Sequence, residues 1–207
     1  MTKVMAVTNQ KGGPGKSTTA VNLCIELAAL GHKTLLVDLD PQANATKVIS
    51  DGNYDHSITT AELLGRTPPP VQDAIKVSPH HPNAYYIPSA LRLMSTLDLL
   101  MTRSYRESVL QKLLANVNDF DYIIIDTQPN AQIGTQNAIV AAHHLLIPID
   151  GGFSLDGLSD LLHLGRSGAK FDGGQWHVQL HRFTGNATSK VGCSLPVLDL
   201  PGLAQAL

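Results

Sequence analysis

The chain has 207 residues, of which 43% are hydrophobic and 15% charged, and its formal net charge is −2. That length suits one domain around one substantial core. The balance excludes a disordered chain and a globally cationic nucleic-acid binder, so any contact with DNA would need a local basic patch. Two cysteines, Cys24 and Cys193, stand far apart and outside any C-x-x-C pair, which leaves no zinc or iron–sulfur framework and fits a reducing compartment.

In chain order, residues 4–7 are short, apolar and strand-prone, and a glycine-rich stretch follows at 9–19. Residues 17–30 then carry apolar side chains at helical spacing, with Cys24 among them as a small core residue. Further apolar runs at 34–37, 85–87, 122–125 and 145–149 have the length of strands buried on both faces. Helical patterns occupy 91–117, 133–142 and 155–164, the first of them interrupted near Arg103. This alternation predicts an α/β fold, a doubly wound and mostly parallel sheet with helices on both faces and ligands at the carboxyl ends of its strands.

Residues 51–83 read as a surface excursion within the same domain, with a short helix at 61–64 and a break at Pro68-Pro69-Pro70. Beyond residue 151, glycines at 151, 152, 165, 168, 173 and 174 weaken any regular pattern, although 177–183 fits another strand. The expectation is one domain over 1–207. No leader-like segment precedes the first strand and no apolar run nears the length of a membrane span, so a cytoplasmic protein is expected.

The chemistry concentrates in the loop after residue 7. Gly12, Gly13 and Gly15 allow backbone N–H groups to curl around phosphate oxygens, and the helix that starts near Lys16 adds the positive end of its dipole. Lys16 is placed to reach the β- and γ-phosphates of a nucleotide triphosphate, and the Ser17 hydroxyl to ligate Mg²⁺, with Thr18 completing the loop. Asp126 ends an apolar strand, where a carboxylate holds the Mg²⁺ hydration shell. Asp38 and Asp40 both follow the run ending at Val37, on the same side of an extended segment.

The loop has Gln10 where a strict G-x-x-x-x-G-K-[ST] pattern has its first glycine, and a second lysine, Lys11, before the glycines. This K-G-G-x-G-K-[ST] form resembles the deviant phosphate loop of the ParA/MinD family of ATPases. The stretches Val37 to Thr46, Asp121 to Thr127 and Leu146 to Ile149 resemble the same family, closest to its chromosome- and plasmid-partition branch. The resemblance is dense to about residue 160 and thin beyond, which implies that 165–207 is a diverged or incomplete C-terminal portion of the domain. It implies an ATP- and Mg²⁺-dependent ATPase that forms a homodimer in the ATP state and binds DNA without sequence preference. A partner protein of the ParB or adaptor type would stimulate hydrolysis, and the protein would be nucleoid-associated rather than membrane-bound.

By the same resemblance Asp40 positions the attacking water near Mg²⁺, with Asp38 as its metal-side or structural companion. Lys11 crosses the dimer interface to touch the partner's nucleotide, and with Lys16 and Asp40 makes up the catalytic set. Three features depart from the family. Pro14 removes one N–H donor from the cradle, Gln128 replaces a second proline after the strand, and the C-terminal part of the adenine pocket does not align. A positioning ATPase of the MinD kind and a weakly active nucleotide-binding relative are the alternatives. The end of the chain, Pro196 to Leu207, has no lysine or arginine and is broken by Pro201 and Gly202, which speaks against the first. The basic residues Arg103, Arg106 and Lys112 read as a solvated face of one helix. The adjacent histidine pairs at 80–81 and 143–144 cannot easily share one metal, His177 with His181 lacks a third ligand, and Trp176 reads as packing.

Overall fold

The computed structural model describes residues 2–13, 15–55, 57–150, 177–184 and 187–190. Strand β1 (Lys3–Val7) leads through the glycine loop into α1 (Lys16–Ala29) and then β2 (Thr34–Leu39). Four short elements follow: α2 (Asn44–Ile49), α3 (Thr60–Leu63), α4 (Val71–Ala74) and β3 (Lys76–Val77). Next come β4 (Ala84–Ile87), α5 (Leu93–Leu100), a 3₁₀ turn (Arg106–Ser108), α6 (Val109–Leu114), β5 (Tyr122–Thr127) and α7 (Ile133–Ala141). Strands β6 (His144–Asp150), β7 (His177–Thr184) and β8 (Ala187–Lys190) complete the described chain.

The eight strands form one sheet in the order β3-β4-β2-β5-β1-β6-β7-β8. The six from β4 to β7 run parallel, and β3 and β8 pair antiparallel at the two edges. The expected fold class is therefore the observed one.

Alternation along each strand divides the core into two layers. Val4, Ala6, Leu35, Val37, Ile123 and Ile125 face the side covered by α3, α4, α5, α6 and α7. Met5, Val7, Leu36, Ile124 and Leu146 face the side covered by α1 and α2. Parallel strands need apolar residues at every position because both faces are covered, which is why these runs show no polar alternation. The α1 helix stops at Leu30. Gly31, with φ of 93°, turns the chain, and the N–H groups of Gly31 and His32 return to the carbonyls of Ala28 and Leu27.

Two expectations change. The segment 51–83 is not a surface excursion, because Ala61, Leu63, Leu64, Val71 and Ala74 are buried in the core and β3 extends the sheet. Its apolar residues are too sparse to show a period, yet each short helix contributes a few to the same layer. The second change concerns Arg103, Arg106 and Lys112, expected on one helix face, because the pattern at 91–117 is interrupted as anticipated near Arg103. It breaks where Tyr105 adopts a left-handed φ of 56°, separating α5 from the 3₁₀ turn and α6. Arg103 lies in that break and donates to the carbonyls of Leu64 and Gly65, both at 3.1 Å. Arg106 bonds Glu107 and the Met101 carbonyl, and the Lys112 ammonium lies 5.3 Å from the centre of the Tyr105 ring. The three cations are thus engaged locally, on three different elements. The helix expected at 155–164, together with Pro14, Trp176, Cys193 and residues 191–207, lies outside the described residues.

Candidate functional site: a phosphate loop with buried carboxylates

The parallel register sets the site. Val7 of β1 and Asp38 of β2 both pair with Asp126 of β5, so the three stand in one row at the carboxyl end of the sheet. Odd and even positions of these strands face opposite layers, and the row puts Asp38 and Asp126 on the α1 side.

The loop above this row starts with Asn9, whose amide Nδ2 donates to the Pro148 carbonyl at 2.7 Å and whose Oδ1 accepts the Lys11 N–H at 2.9 Å. That pair ties the loop to the end of β6. Gly13 and Gly15 have φ of 90° and 81°, which L side chains rarely adopt, and a Cβ built on Gly12, Gly13 or Gly15 would meet nothing within 4 Å. The space beside these three glycines is therefore open, as approach by a phosphate group requires. Gly15 precedes the first turn of α1, and its carbonyl accepts both the Thr19 N–H and the Thr19 hydroxyl at 2.8 Å. Lys11, Gly12, Gly13 and Thr18 are exposed, and Ser17 is partly buried.

Lys16 is only 6% exposed and donates from Nζ to the Lys11 carbonyl at 2.9 Å. Burial lowers its pKa, while the charges of Asp126 and Asp40 pull it back up. The cation thus faces two of the three predicted carboxylates.

Asp126 is fully buried, and neither of its carboxylate oxygens has a hydrogen-bond partner. Its pKa is raised well above the usual carboxylate range, first by burial and then by the charge of Asp38. Ser17 is close enough to favour the charged form, without reaching hydrogen-bonding geometry to either oxygen. An uncompensated carboxylate at such depth is costly unless a cation joins it. The donor set is hard oxygen, which suits Mg²⁺. Among the described residues no three His, Cys, Asp or Glu side chains form a ready-made metal centre. Ser17 and Asp126, with phosphate oxygens and Asp40 through water, would hold the ion, as in sites where Mg²⁺ keeps part of its hydration shell.

Asp40 is 7% exposed and its Oδ1 accepts the Gln42 N–H at 2.9 Å. Asp38 stands apart from this function. Its Oδ1 accepts the Asp40 N–H at 2.9 Å, and its Oδ2 accepts the N–H and the hydroxyl of Thr46 at 2.8 and 2.7 Å. Burial raises its pKa to about 6 against the pull of those bonds. Asp38 is the structural companion of Asp40, with its acceptor capacity turned towards the backbone. Thr46 and Asn9 are the site residues that sequence reasoning passed over. Both sit in stretches already recognised, but each also bonds a residue distant in the chain, Pro148 for Asn9 and Ser89 for Thr46.

Three of the histidines serve the scaffold, while the side chains of His177 and His181 lie outside the described residues. His143 Nδ1 accepts the Val4 N–H at 3.1 Å, His81 Nδ1 accepts the Asn83 N–H at 3.2 Å, and His80 Nε2 lies 2.9 Å from the Val48 carbonyl. No helix of the described residues is long and apolar enough to cross a membrane.

Comparison with known proteins agrees with this geometry. A family model described as an AAA domain matches residues 2–167. The chromosome-partitioning ATPase Soj of Treponema pallidum is 38% identical over 164 residues, covering 78% of this chain and 63% of that protein. The chromosome partitioning protein ParA of Caulobacter vibrioides is 36% identical over 165 residues, covering 77% of this chain and 61% of that protein. The chain thus spans less than two thirds of the length of these relatives. Among solved structures, cobyrinic acid a,c-diamide synthase from Mycobacterium smegmatis with bound ADP and magnesium superposes with a TM-score of 0.78 at 28% identity, over 88% of this chain and 74% of that one. With its deviant glycine loop, its buried strand-end carboxylate and this match over four fifths of its length, the chain belongs to the ParA family of P-loop ATPases.

Proposed function

We propose that this protein is an ATP-dependent molecular switch that dimerises around its nucleotide, hydrolyses it and so positions or partitions DNA. The observation that carries the reading is Asp126. It is a buried carboxylate without a hydrogen-bond partner, beside a nearly buried lysine and beneath an open glycine loop. The Mg²⁺ of a bound magnesium–triphosphate would supply the positive charge that Asp126 lacks, and the phosphates would face Lys16.

Gly12, Gly13 and Gly15 offer backbone donors to the phosphates, and Lys16 binds the β- and γ-oxygens. Held by Ser17 and Asp126, with Asp40 through water, Mg²⁺ would neutralise charge that builds on the transferring phosphoryl group. Asp40 orients the attacking water at the mouth of the site. Lys11 has its main chain fixed by Asn9 and by Lys16, while the residue itself is exposed. Such a lysine suits a reach across to the γ-phosphate in a second protomer, where it would act as an arginine finger does. The ATP-bound dimer would bind DNA without sequence preference, and an adaptor protein of the ParB type would trigger hydrolysis and release. The protein would work in the cytoplasm, on the nucleoid.

The test is to size the full chain with ATP, with ADP and without nucleotide, in wild type and Lys11→Ala. A species of twice the mass with ATP alone, lost in the variant, is the expected result. A wild type that stays monomeric with ATP while binding it tightly would reduce the protein to a nucleotide-binding module. Retention on DNA of mixed sequence, measured in the same samples at rising salt, tests the partition step.

A further inference from the structure

Between β2 and α2 the chain makes a tight turn that carries Asp40. Its last residue, Ala43, adopts a left-handed φ of 54°, a conformation that costs a non-glycine residue free energy and persists only where the surroundings over-determine it. Those surroundings converge on Thr46, which is completely buried. Its N–H and its hydroxyl both donate to Asp38 Oδ2, at 2.8 and 2.7 Å, while Asp38 Oδ1 holds the Asp40 N–H at 2.9 Å. The same Thr46 Oγ1 accepts the Ser89 N–H at 2.9 Å, and the Thr46 carbonyl accepts the Ser50 hydroxyl at 2.7 Å. One hydroxyl therefore joins three segments: the end of β2, the first turn of α2, and the connection from β4 to α5. Asp38 is 1% exposed and Ser89 fully buried, so no water is at hand to replace any of these bonds.

We propose that Thr46 is a positioning residue for hydrolysis: through Asp38 it fixes the turn that carries Asp40, and through Ser89 it locks that turn to the β4–α5 connection. Thr46 touches no nucleotide in this account and acts only through Asp38. A buried hydroxyl used as donor and acceptor at once sets both bonds in direction, and a side chain of the same shape without it would sever both. The proposal rests on reading Asp40 as the residue that orients water.

Hydrogen–deuterium exchange of the full chain, in wild type, Thr46→Val and Thr46→Ser, tests the lock directly. Thr46→Val should accelerate exchange of the Asp40, Thr46 and Ser89 amides at least tenfold, with β5 amides within threefold of wild type, and Thr46→Ser should restore protection. Unchanged exchange at those three amides would overturn the proposal. An acceleration spread evenly over β5 would also overturn it, because that marks plain loss of stability. In steady-state hydrolysis, Thr46→Val should lower kcat at least tenfold while KM for ATP stays within threefold. An unaltered kcat would refute the positioning role. If wild type hydrolyses no ATP, the functional reading fails, and the exchange experiment still decides whether Thr46 fixes the turn.

Discussion

Asp126 is a residue that the apparent fold would be better without. A buried carboxylate with no partner opposes folding, so Asp126→Asn should raise the melting temperature measured without nucleotide or Mg²⁺. A gain of about 1–2 kcal/mol corresponds to roughly 2–8 °C for a chain of this size. The same variant should lose the further stabilisation that Mg-ATP gives wild type, and a lower melting temperature in calorimetry would contradict the reading. Lys16→Ala removes the one nearly buried ammonium facing these carboxylates. A charged hydrogen bond is worth about 1.5–3 kcal/mol, so affinity for a fluorescent ATP analogue should fall by about 10- to 100-fold. Lys16, Ser17 and Asp126 were legible in the sequence because each belongs to a short local pattern: a glycine loop running into a helix, or an acid closing an apolar strand. The work of Thr46 was not. Its partner Ser89 lies 43 positions away, and no local period records such a bond.

Among the elements, α3 shows how a four-residue helix survives. Thr59 caps it, its side chain accepting the Ala61 N–H while Glu62 reaches back to the Thr59 N–H and hydroxyl at 2.8 Å. Arg92 grips Glu62 through two bonds, at 2.6 and 2.9 Å. Burial alone would raise the Glu62 pKa, but the Arg92 and Thr59 bonds outweigh it and bring it down to about 2. A depressed carboxyl pKa stabilises the fold above the unfolded-state value of about 4.3, and that stability is lost as pH falls towards 2. Wild type should therefore be more stable than Glu62→Gln at pH 7, with the difference in denaturant midpoint closing between about pH 4.5 and the acid limit. A gap that stays constant over that range would show that Glu62 does not act through its charge. Thr59→Ala should cost about 1 kcal/mol. At this scale the long buried strands were plain from composition, since parallel strands covered on both sides are continuous apolar runs. The short helices α3 and α4 hid because four residues cannot display a 3.6-residue period.

For the molecule as a whole, the formal charge of −2 leaves DNA binding to a local surface. Lys112 is engaged with the Tyr105 ring, and Arg103 and Arg106 with backbone carbonyls. Lys112→Ala should therefore leave DNA retention by the ATP-bound protein within twofold at every salt concentration. A loss of one unit of salt slope on a log–log plot would instead identify a phosphate contact. The doubly wound class was legible because buried apolar runs alternate with helical patterns, but edge strand β3 and the spatial order of the strands were not. The pairing of Asp38 and Asp126 across neighbouring strands needed the register, which sequence order does not reveal.

The sheet ends on one side in β3, a strand of only two residues that carries Lys76 and is followed closely by Pro79. So short an edge, with a charged side chain and a residue lacking an amide hydrogen nearby, offers an incoming strand almost nothing to zip onto. That flank therefore disfavours the stacking of copies into a continuous ribbon by strand-to-strand pairing.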